Sequence, residues 1–518
     1  MSGWAPWLLA GTLAPLVVVA GVLWVADRVG EGLRVSTITV LARAAGLLSA
    51  ASAVAVVHQR ARLDVPWVES LGVRLDLAVD GISVPLVLLT AGVLLVVLVL
   101  PRAPEAETEG PVTTAPLTPQ PAEPGVSTYY GCLLLVGFGA LLTFLARDAL
   151  VFFVGFELVL LPMWVLISRH GDASEAARRD GAALRFLLVT ATGSTLMLVG
   201  ILVISTATGT TDLDVWAAQG GAALSDTQSL AAAVLLVVGL GLKVPIWPLH
   251  TWLPWVHTTA PTAGSVLLAA VLLKMGTYGI VRLVIPGVPQ GFDAVAPTMA
   301  GCAVVGIIWA GLAALVETDL KRLIAWSSIA HLGFVVLGLA AGTETGMQAA
   351  LFGNVAHGVI SALLFVVVGA LKQRWGATDL DTARAAVRET APRLGFGLVV
   401  GMAASMGLPG LAGFWGEFGA LYAAWAPAAD RHDGWFRLFA VLAAVGAALA
   451  AAYSVRVLRE VWAGERTRPR VPDATPRERV LVVAFALVVV GLGVYPVVVL
   501  DVTAPAVEGL LAAAGVGR

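Results

Sequence analysis

Charged residues are scarce in this chain of 518 residues, where Asp, Glu, Lys and Arg make up 13% and hydrophobic residues 58%. Ordinary soluble domains carry about 25% charged residues, so this composition excludes a soluble fold. The formal net charge of −2 gives no basis for binding nucleic acid. The scarcity of charge therefore predicts a chain that lies mostly within lipid.

Cysteine is almost missing as well. Cys132 and Cys302 stand singly in separate apolar runs, and no CxxC pattern accompanies them. The sequence therefore offers no zinc or iron–sulfur site and no disulfide framework. It also lacks a glycine-rich GxGxxG turn after a strand, and any soluble domain that would bind NADH or flavin. We expect no cofactor and no metal in this chain.

Long apolar runs recur instead from one end of the chain to the other, and each is long enough to cross a hydrocarbon core of about 30 Å. The first run lacks a basic flank and a cleavage site, so we interpret it as a retained helix. The sequence predicts an all-α polytopic membrane protein with about fourteen spans, at 7–25, 35–57, 82–100, 128–146, 149–168, 183–206, 229–256, 261–283, 296–315, 322–340, 346–371, 395–424, 437–460 and 478–500.

The seventh and twelfth spans contain helix-breaking residues near their middles. Proline lacks an amide donor and clashes with the preceding turn, so we expect both helices to be broken inside the membrane. Paired broken helices indicate inverted repeats with an ion path between them. The residues concerned are Lys243, Pro245, Pro248 and Pro254 in the seventh span, and Gly407, Pro409, Gly410 and Gly413 in the twelfth.

Equal residue offsets give minor support to the repeat, because Glu157 to His331 and Lys243 to Glu417 both span 174 positions. We therefore divide the chain into four parts. These are three N-terminal helices with a loop rich in proline and glutamate (1–127), a first repeat (128–283), a second inverted repeat (296–460), and a basic cytoplasmic loop with a C-terminal helix (461–518).

Lysine and arginine concentrate in the loops after odd-numbered spans. The positive-inside rule places those loops in the cytoplasm and both termini outside. The loop with Arg60, Arg62 and Arg74 runs against this trend. The proline- and glutamate-rich segment 101–127 is predicted to be a mobile cytoplasmic loop without catalytic content.

Six titratable residues lie near the middle of their spans, at a common depth: Glu157, Lys243, Lys274, His331, His357 and Glu417. A charge at the centre of a bilayer costs roughly 3 kcal/mol or more, so such residues are usually functional. Each alone has a structural reading: a buried histidine is often a packing element, and a glutamate can cap a broken helix. Six together favour a proton path.

Lysine usage strengthens this interpretation. The chain has only four lysines among its 32 basic residues, and two of them are the mid-membrane Lys243 and Lys274. A buried lysine can release its proton at physiological pH, whereas an arginine stays charged. A nearby carboxylate such as Glu157 would favour the charged lysine. A change in their separation could therefore load or discharge it.

Several motifs resemble the antiporter-like proton-channel subunits of respiratory complex I, and the subunit M family in particular. They are "VDGISVPLVLLT" (79–90), "GLKVPIWPLHTWLPWVHTTAPTAGSVLLAAVLLKMGTYGIVR" (241–282), "SSIAHLGFV" (327–335), "NVAHGVISALLF" (354–365) and "GLPGLAGFWGEF" (407–418). The resemblance covers nearly the whole chain in order. The nearest related family belongs to the Mrp-type sodium/proton antiporters, which are also built from several subunits.

This resemblance implies two inverted five-helix repeats, formed by spans four to eight and nine to thirteen. It implies that Glu157 and Lys243 form a coupling pair and that Lys274 is a central relay. His331 and His357 would be water-wire residues, with Glu417 at the output side. NADH, FMN, iron–sulfur clusters and quinone would belong to partner subunits, among which the neighbouring membrane subunits are the related L and N. The location would be the bacterial cell membrane.

The chain departs from the family pattern at Trp255, where members usually have an aspartate. His250 and His257 lie close to it in the sequence, and two roles stay open for them: proton uptake from the cytoplasm, or solvated loop residues at the cytoplasmic edge. Two other functions stay open at this point: a subunit of a sodium/proton antiporter, and a purely structural membrane scaffold.

Overall fold

The computed structural model describes residues 4–29, 33–100, 125–172, 176–219, 221–380, 386–465 and 472–515. The fold is helical apart from one hairpin, and the predicted all-α polytopic class is confirmed. The long helices are Ala5–Val29 (α1), Val35–Gln59 (α2), Val84–Val99 (α3), Val126–Leu145 (α4), Ala149–His170 (α5), Ala176–Thr208 (α6), Asp226–Lys243 (α7), Leu253–Thr259 (α8), Thr262–Gly287 (α9), Pro289–Val316 (α10), Leu320–Ala340 (α11), Glu344–Trp375 (α12), Pro392–Ser405 (α13), Gly413–Trp425 (α14), Asp433–Trp462 (α15), Pro476–Val494 (α16) and Val497–Ala514 (α17). Strands Arg62–Val68 (β1) and Val73–Ala78 (β2) form the hairpin.

Twelve helices in the described part of the chain are long and apolar enough to cross a membrane. Helix α3 is shorter, α13 and α14 are two short pieces, and α16 carries three charges in its first turn. The total of fourteen spans therefore stays a prediction. The predicted loop 101–127 lies outside the described residues up to position 124.

Both predicted helix breaks are present. Helix α7 ends at Lys243 and α8 begins at Leu253, while α13 ends at Ser405 and α14 begins at Gly413. Prolines in the two connections cannot donate the backbone hydrogen bonds that would continue a helix. The buried ends of these half-helices are available for polar interactions at mid-membrane.

The predicted last span, 478–500, differs from the structure. Helix α16 stops at Val494, and a separate helix, α17, starts at Val497. Pro496 separates them, because its ring fixes φ and removes an amide donor. Thr503 of α17 donates a hydrogen bond to the side-chain oxygen of Gln348 in α12, which attaches the C-terminal helix to the second half of the bundle.

The predicted inverted repeat is supported by one local arrangement that occurs twice. Asp148 precedes α5 and accepts a hydrogen bond from the Thr211 hydroxyl, while Asp319 precedes α11 and accepts one from Thr378. Both sites also form an isolated antiparallel bridge. Five spans lie between the two sites, so the arrangements face opposite sides of the membrane. The domain boundaries given above stay predictions.

Two of the three arginines that run against the charge trend, Arg62 and Arg74, are paired with acidic residues. Arg62 contacts Asp76 across the hairpin at 2.5 Å, and Arg74 contacts Asp64 at 2.6 Å. Nearby, Asp80 binds both Arg282 at the end of α9 and Arg147 before α5. These ion pairs fix the hairpin against the first half of the bundle, and the orientation of the termini stays a prediction.

Replacing Asp80 by asparagine is expected to destabilise the fold. Burial alone would raise the pKa of the Asp80 carboxyl, but the charges of Arg282 and Arg147 and their hydrogen bonds outweigh it and hold the pKa below its usual range. Removing the carboxylate leaves Arg282 buried and uncompensated, at a cost of about 3 kcal/mol. An SDS titration of the detergent-solubilised complex at neutral pH should show this loss.

The pH dependence checks the same interaction. A carboxylate with a depressed pKa stabilises the fold above its unfolded pKa, near pH 4, and loses this effect as the pH falls towards the folded pKa. The difference between D80N and the unchanged protein should therefore be constant from pH 8 to pH 5 and shrink below about pH 4. Asp64→Asn, in an exposed pair, is the control and should cost about 1 kcal/mol or less. Equal losses in both variants would contradict the prediction.

Candidate functional site

Lys274 lies at the centre of the bundle, on a helix whose described residues are buried on every side. Two turns of π-helix, Leu268–Leu272 and Ile280–Val284, flank it within α9. Such turns widen the helix and are frequent at functional sites. The Lys274 ammonium donates to the backbone oxygen of Ala269 and contacts His357 Nδ1, each at 2.5 Å. Lys274 is thus held between one half of the fold and α12 of the other.

Two histidine rings lie beyond Lys274. His357 on α12 and His331 on α11 have ring centroids 5.8 Å apart. His357 Nε2 is buried without a hydrogen-bond partner among the described residues. His331 Nδ1 lies 2.6 Å from Glu417 Oε1. Direct contacts therefore join Lys274 to His357 and His331 to Glu417. The two pairs are separated by the 5.8 Å between the ring centroids of His357 and His331.

The His331–Glu417 pair is fixed by groups around the second helix break. Ser405, the last residue of α13, contacts His331 Nε2 at 2.8 Å, and the Tyr453 hydroxyl lies 3.3 Å from the same nitrogen. Gly407 has a φ of +69°, and a Cβ there would lie 2.9 Å from Glu417 Oε2. Glycine is needed at this turn because of both its φ and this close approach.

A small cavity joins these side chains. It has a volume of about 30 Å³ and is lined by His331, His357 and Glu417 together with small residues such as Gly353 and Gly413. A cavity of this size with three polar side chains in its lining has room for a water molecule that bridges them. His357, His331 and Glu417 therefore all face the same small cavity.

Glu157 and Lys243 are arranged differently. Lys243 Nζ lies 4.8 Å from the Phe156 ring centroid and 5.9 Å from that of Phe186, so aromatic faces surround the ammonium. Among the described residues, no carboxylate lies within the 4.0 Å of a salt bridge to Lys243. Glu157 Oε1 is buried with no hydrogen-bond partner there either. The two charges are neighbours that do not touch.

The six predicted residues thus fall into two groups in the described structure. Lys274, His357, His331 and Glu417 are linked by contacts and the cavity, whereas Glu157 and Lys243 stand near each other without a hydrogen bond to the rest. Ser405, Tyr453 and the backbone oxygen of Ala269 were not predicted. Only the position of Ser405 and Gly407 at the broken helix could have indicated part of this.

Two further polar groups lie near Lys274. Thr277 donates to Asn354 Oδ1 at 2.9 Å, between α9 and α12. His257 is fully buried, stacks on Phe365 with centroids 4.6 Å apart, and has neither ring nitrogen hydrogen-bonded in the described part of the chain. No group of three or more His, Cys, Asp or Glu side chains able to hold a metal occurs among the described residues.

A row of buried ionisable groups between two broken helices, in an all-helical bundle, defines an antiporter-like membrane protein. The family described as NADH:quinone oxidoreductase/Mrp antiporter, transmembrane, matches residues 146–445. The chain belongs to this family.

Curated relatives agree with this membership. The chain is 33% identical to NAD(P)H-quinone oxidoreductase chain 4 1 of Nostoc sp., over 95% of this chain and 88% of the relative. It is also 33% identical to NADH-quinone oxidoreductase subunit M of Rhodobacter capsulatus, over 86% and 84%. The resemblance to subunit M is therefore confirmed, and the protein is an antiporter-like membrane subunit of an enzyme complex.

Solved structures show the same fold. A chain of respiratory complex I from Thermus thermophilus with bound NADH matches with a TM-score of 0.84 and 25% identity, over 98% of this chain and 100% of that one. A chain of the Mrp complex from Dietzia sp. matches with a TM-score of 0.81 and 20% identity, over 99% and 98%. The second match supports the fold alone.

Proposed function

We propose that this chain moves protons across the membrane as a subunit of NADH:quinone oxidoreductase. The observation that carries the proposal is the set Lys274, His357, His331 and Glu417, in which Lys274 contacts His357 and the other three line one small cavity. Each member can take up or release a proton, and each lies within contact or one bridging water of the next. Such a set suits proton transfer along the membrane plane.

The coupling pair supplies the drive in this proposal. Glu157 and Lys243 are close but unpaired in the described structure, so a small movement of either helix changes their electrostatic interaction strongly in a medium of low dielectric. When Glu157 approaches, Lys243 holds its proton, and when it withdraws, the proton is released towards Lys274. The movement would be imposed by quinone reduction in partner subunits.

Partner subunits and the membrane complete the proposed complex. NADH, FMN, iron–sulfur clusters and quinone are held by partner subunits, and the neighbouring membrane subunits are the related L and N. The complex lies in the bacterial cell membrane with both termini of this chain outside, as the distribution of lysine and arginine indicates.

Replacing Lys274 by methionine tests the proposed path. The variant keeps most of the side-chain length but loses the ammonium group that contacts Ala269 and His357, so NADH-driven proton uptake into inverted vesicles should fall about tenfold. Lys372→Met is the matched control, because Lys372 pairs with Asp172 away from the path. Its proton uptake should stay close to that of the unchanged complex. Full pumping in Lys274→Met would remove Lys274 from the path.

The sodium/proton antiporter is the second candidate, since the family includes both kinds of complex. The two functions differ in what drives proton movement. In sodium-free medium, vesicles with the unchanged complex should take up protons when NADH is added. Proton movement that needs a sodium gradient and ignores NADH would favour the antiporter.

A further inference from the structure

A continuous groove runs along the lipid-facing side of the first helix break. Its apolar part, about 460 Å³, lies between α7 and α10 and includes Val234, Val295 and Met299. A second part, about 330 Å³, extends to the start of α11. Trp247 and Pro248 line both parts. The groove is therefore one elongated site, with an apolar arm at one end and a basic end next to α11.

The basic end is built around Trp255. The Arg185 guanidinium lies 5.0 Å from the Trp255 ring centroid, and that of Arg322 lies 5.3 Å from it. Among the described residues, Arg185 has no carboxylate partner, and Arg322 has only Glu317, which approaches its Nε at 3.3 Å. The terminal nitrogens of both arginines have no hydrogen-bond partner there. Glu317 thus compensates only one of the two guanidinium groups. A net positive charge therefore remains at this end of the groove.

Aromatic and polar groups complete this end. Trp309 and Trp326 line it with Trp255, and tryptophan is typical of the level where lipid headgroups begin. His250 also lines it and is buried, and its Nδ1 has no hydrogen-bond partner in the described part of the chain. The site therefore offers donors to an anion next to a surface that suits the glycerol backbone and acyl chains.

We propose that this groove binds one anionic phospholipid, with its phosphate at the Arg322 guanidinium, near Arg185 on the same tryptophan ring, and an acyl chain laid past Trp247 into the apolar arm. Guanidinium groups bind phosphate oxygens strongly, and basic pockets between membrane helices suit anionic headgroups. A free phosphate would leave the apolar arm unused. A zwitterionic lipid would bring a second cation to two arginines. The bound chain would pack against the connection that follows Lys243.

Photolabelling of the intact complex tests the proposal. The complex is reconstituted into phosphatidylcholine vesicles with a trace of phosphatidylglycerol that carries a photoactivatable group on an acyl chain. We expect label on peptides of α7 and α10 that line the apolar arm, and competition by unlabelled phosphatidylglycerol. Soluble glycerol phosphate should not compete. Three results would each overturn the proposal: equal labelling by a phosphatidylcholine probe, displacement by glycerol phosphate, or lipid label found only on partner subunits.

Variants at the basic end make the test specific. Arg322→Gln and Arg185→Gln should each weaken labelling of the groove about fivefold, since one basic group contributes about that factor to anionic lipid binding. Trp255→Asp, which places a carboxylate between the two guanidinium groups, should weaken it further. Arg437→Gln is the matched control, because Arg437 also stacks on a tryptophan, Trp425, but is paired with Asp433. Unchanged labelling in both single arginine variants would overturn the proposal, even if Trp255→Asp failed to fold.

Discussion

Glu157→Gln should abolish proton pumping while leaving the complex assembled. Glutamine has nearly the shape of glutamate, and Glu157 Oε1 makes no hydrogen bond among the described residues, so the substitution disturbs little packing. It removes the only negative charge that we place beside Lys243. Without that charge, movement of α5 no longer changes the free energy of the charged lysine. NADH-driven proton uptake into inverted vesicles should drop at least about tenfold.

The size of this effect follows from the surroundings of the pair. Each tenfold change in the protonation equilibrium of Lys243 corresponds to about 1.4 kcal/mol, and a charge pair in a medium of low dielectric exceeds that easily. Glu344→Gln, at the exposed start of α12, is the matched control and should pump normally. Assembly is checked by the yield of the purified complex. Normal pumping in an assembled Glu157→Gln complex would mean that Glu157 does not couple.

The sequence could indicate the common depth of four of the six candidate residues, and for a physical reason. Lys274, His331, His357 and Glu417 each lie near the middle of an apolar span, so their common depth followed from counting residues. Depth alone does not give direction around a helix axis. The structure supplies it by packing α9, α11, α12 and α14 so that the four side chains converge.

Other features depend on tertiary contacts and left little trace in the sequence. The Ala269 oxygen that contacts Lys274 belongs to a π-helical turn, and Tyr453 reaches His331 from α15, 122 positions away. In the sequence, Trp255 was notable only as a departure from a family pattern. The two arginines that contact its ring come from α6 and α11, far apart along the chain. The second helix near the C terminus was missed because the run 478–500 is apolar through Pro496. Periodicity predicts elements, but these contacts arise from how elements pack.

Lys243→Arg should stop pumping as completely as the loss of Glu157. The substitution keeps a positive charge at the end of α7, against the rings of Phe156 and Phe186, so the local attraction to both the rings and Glu157 persists. A guanidinium group does not release its proton at accessible pH. If the role of Lys243 is to discharge towards Lys274, the path is interrupted at its first step, and proton uptake should fall at least about tenfold.

The Lys243→Arg variant distinguishes two possible roles of the buried lysine: a fixed positive charge and a group that releases its proton. A lysine that only attracts Glu157 and fixes α5 against α7 would be replaced well by arginine, and NADH-driven uptake would stay near normal. A lysine that must lose its proton would not be replaced at all. Lys372→Arg, which keeps its ion pair with Asp172, is the matched control for adding a guanidinium and should pump normally. Failure of Lys243→Arg with success of this control would show that proton release, and not fixed charge, is what the chain requires at the first helix break.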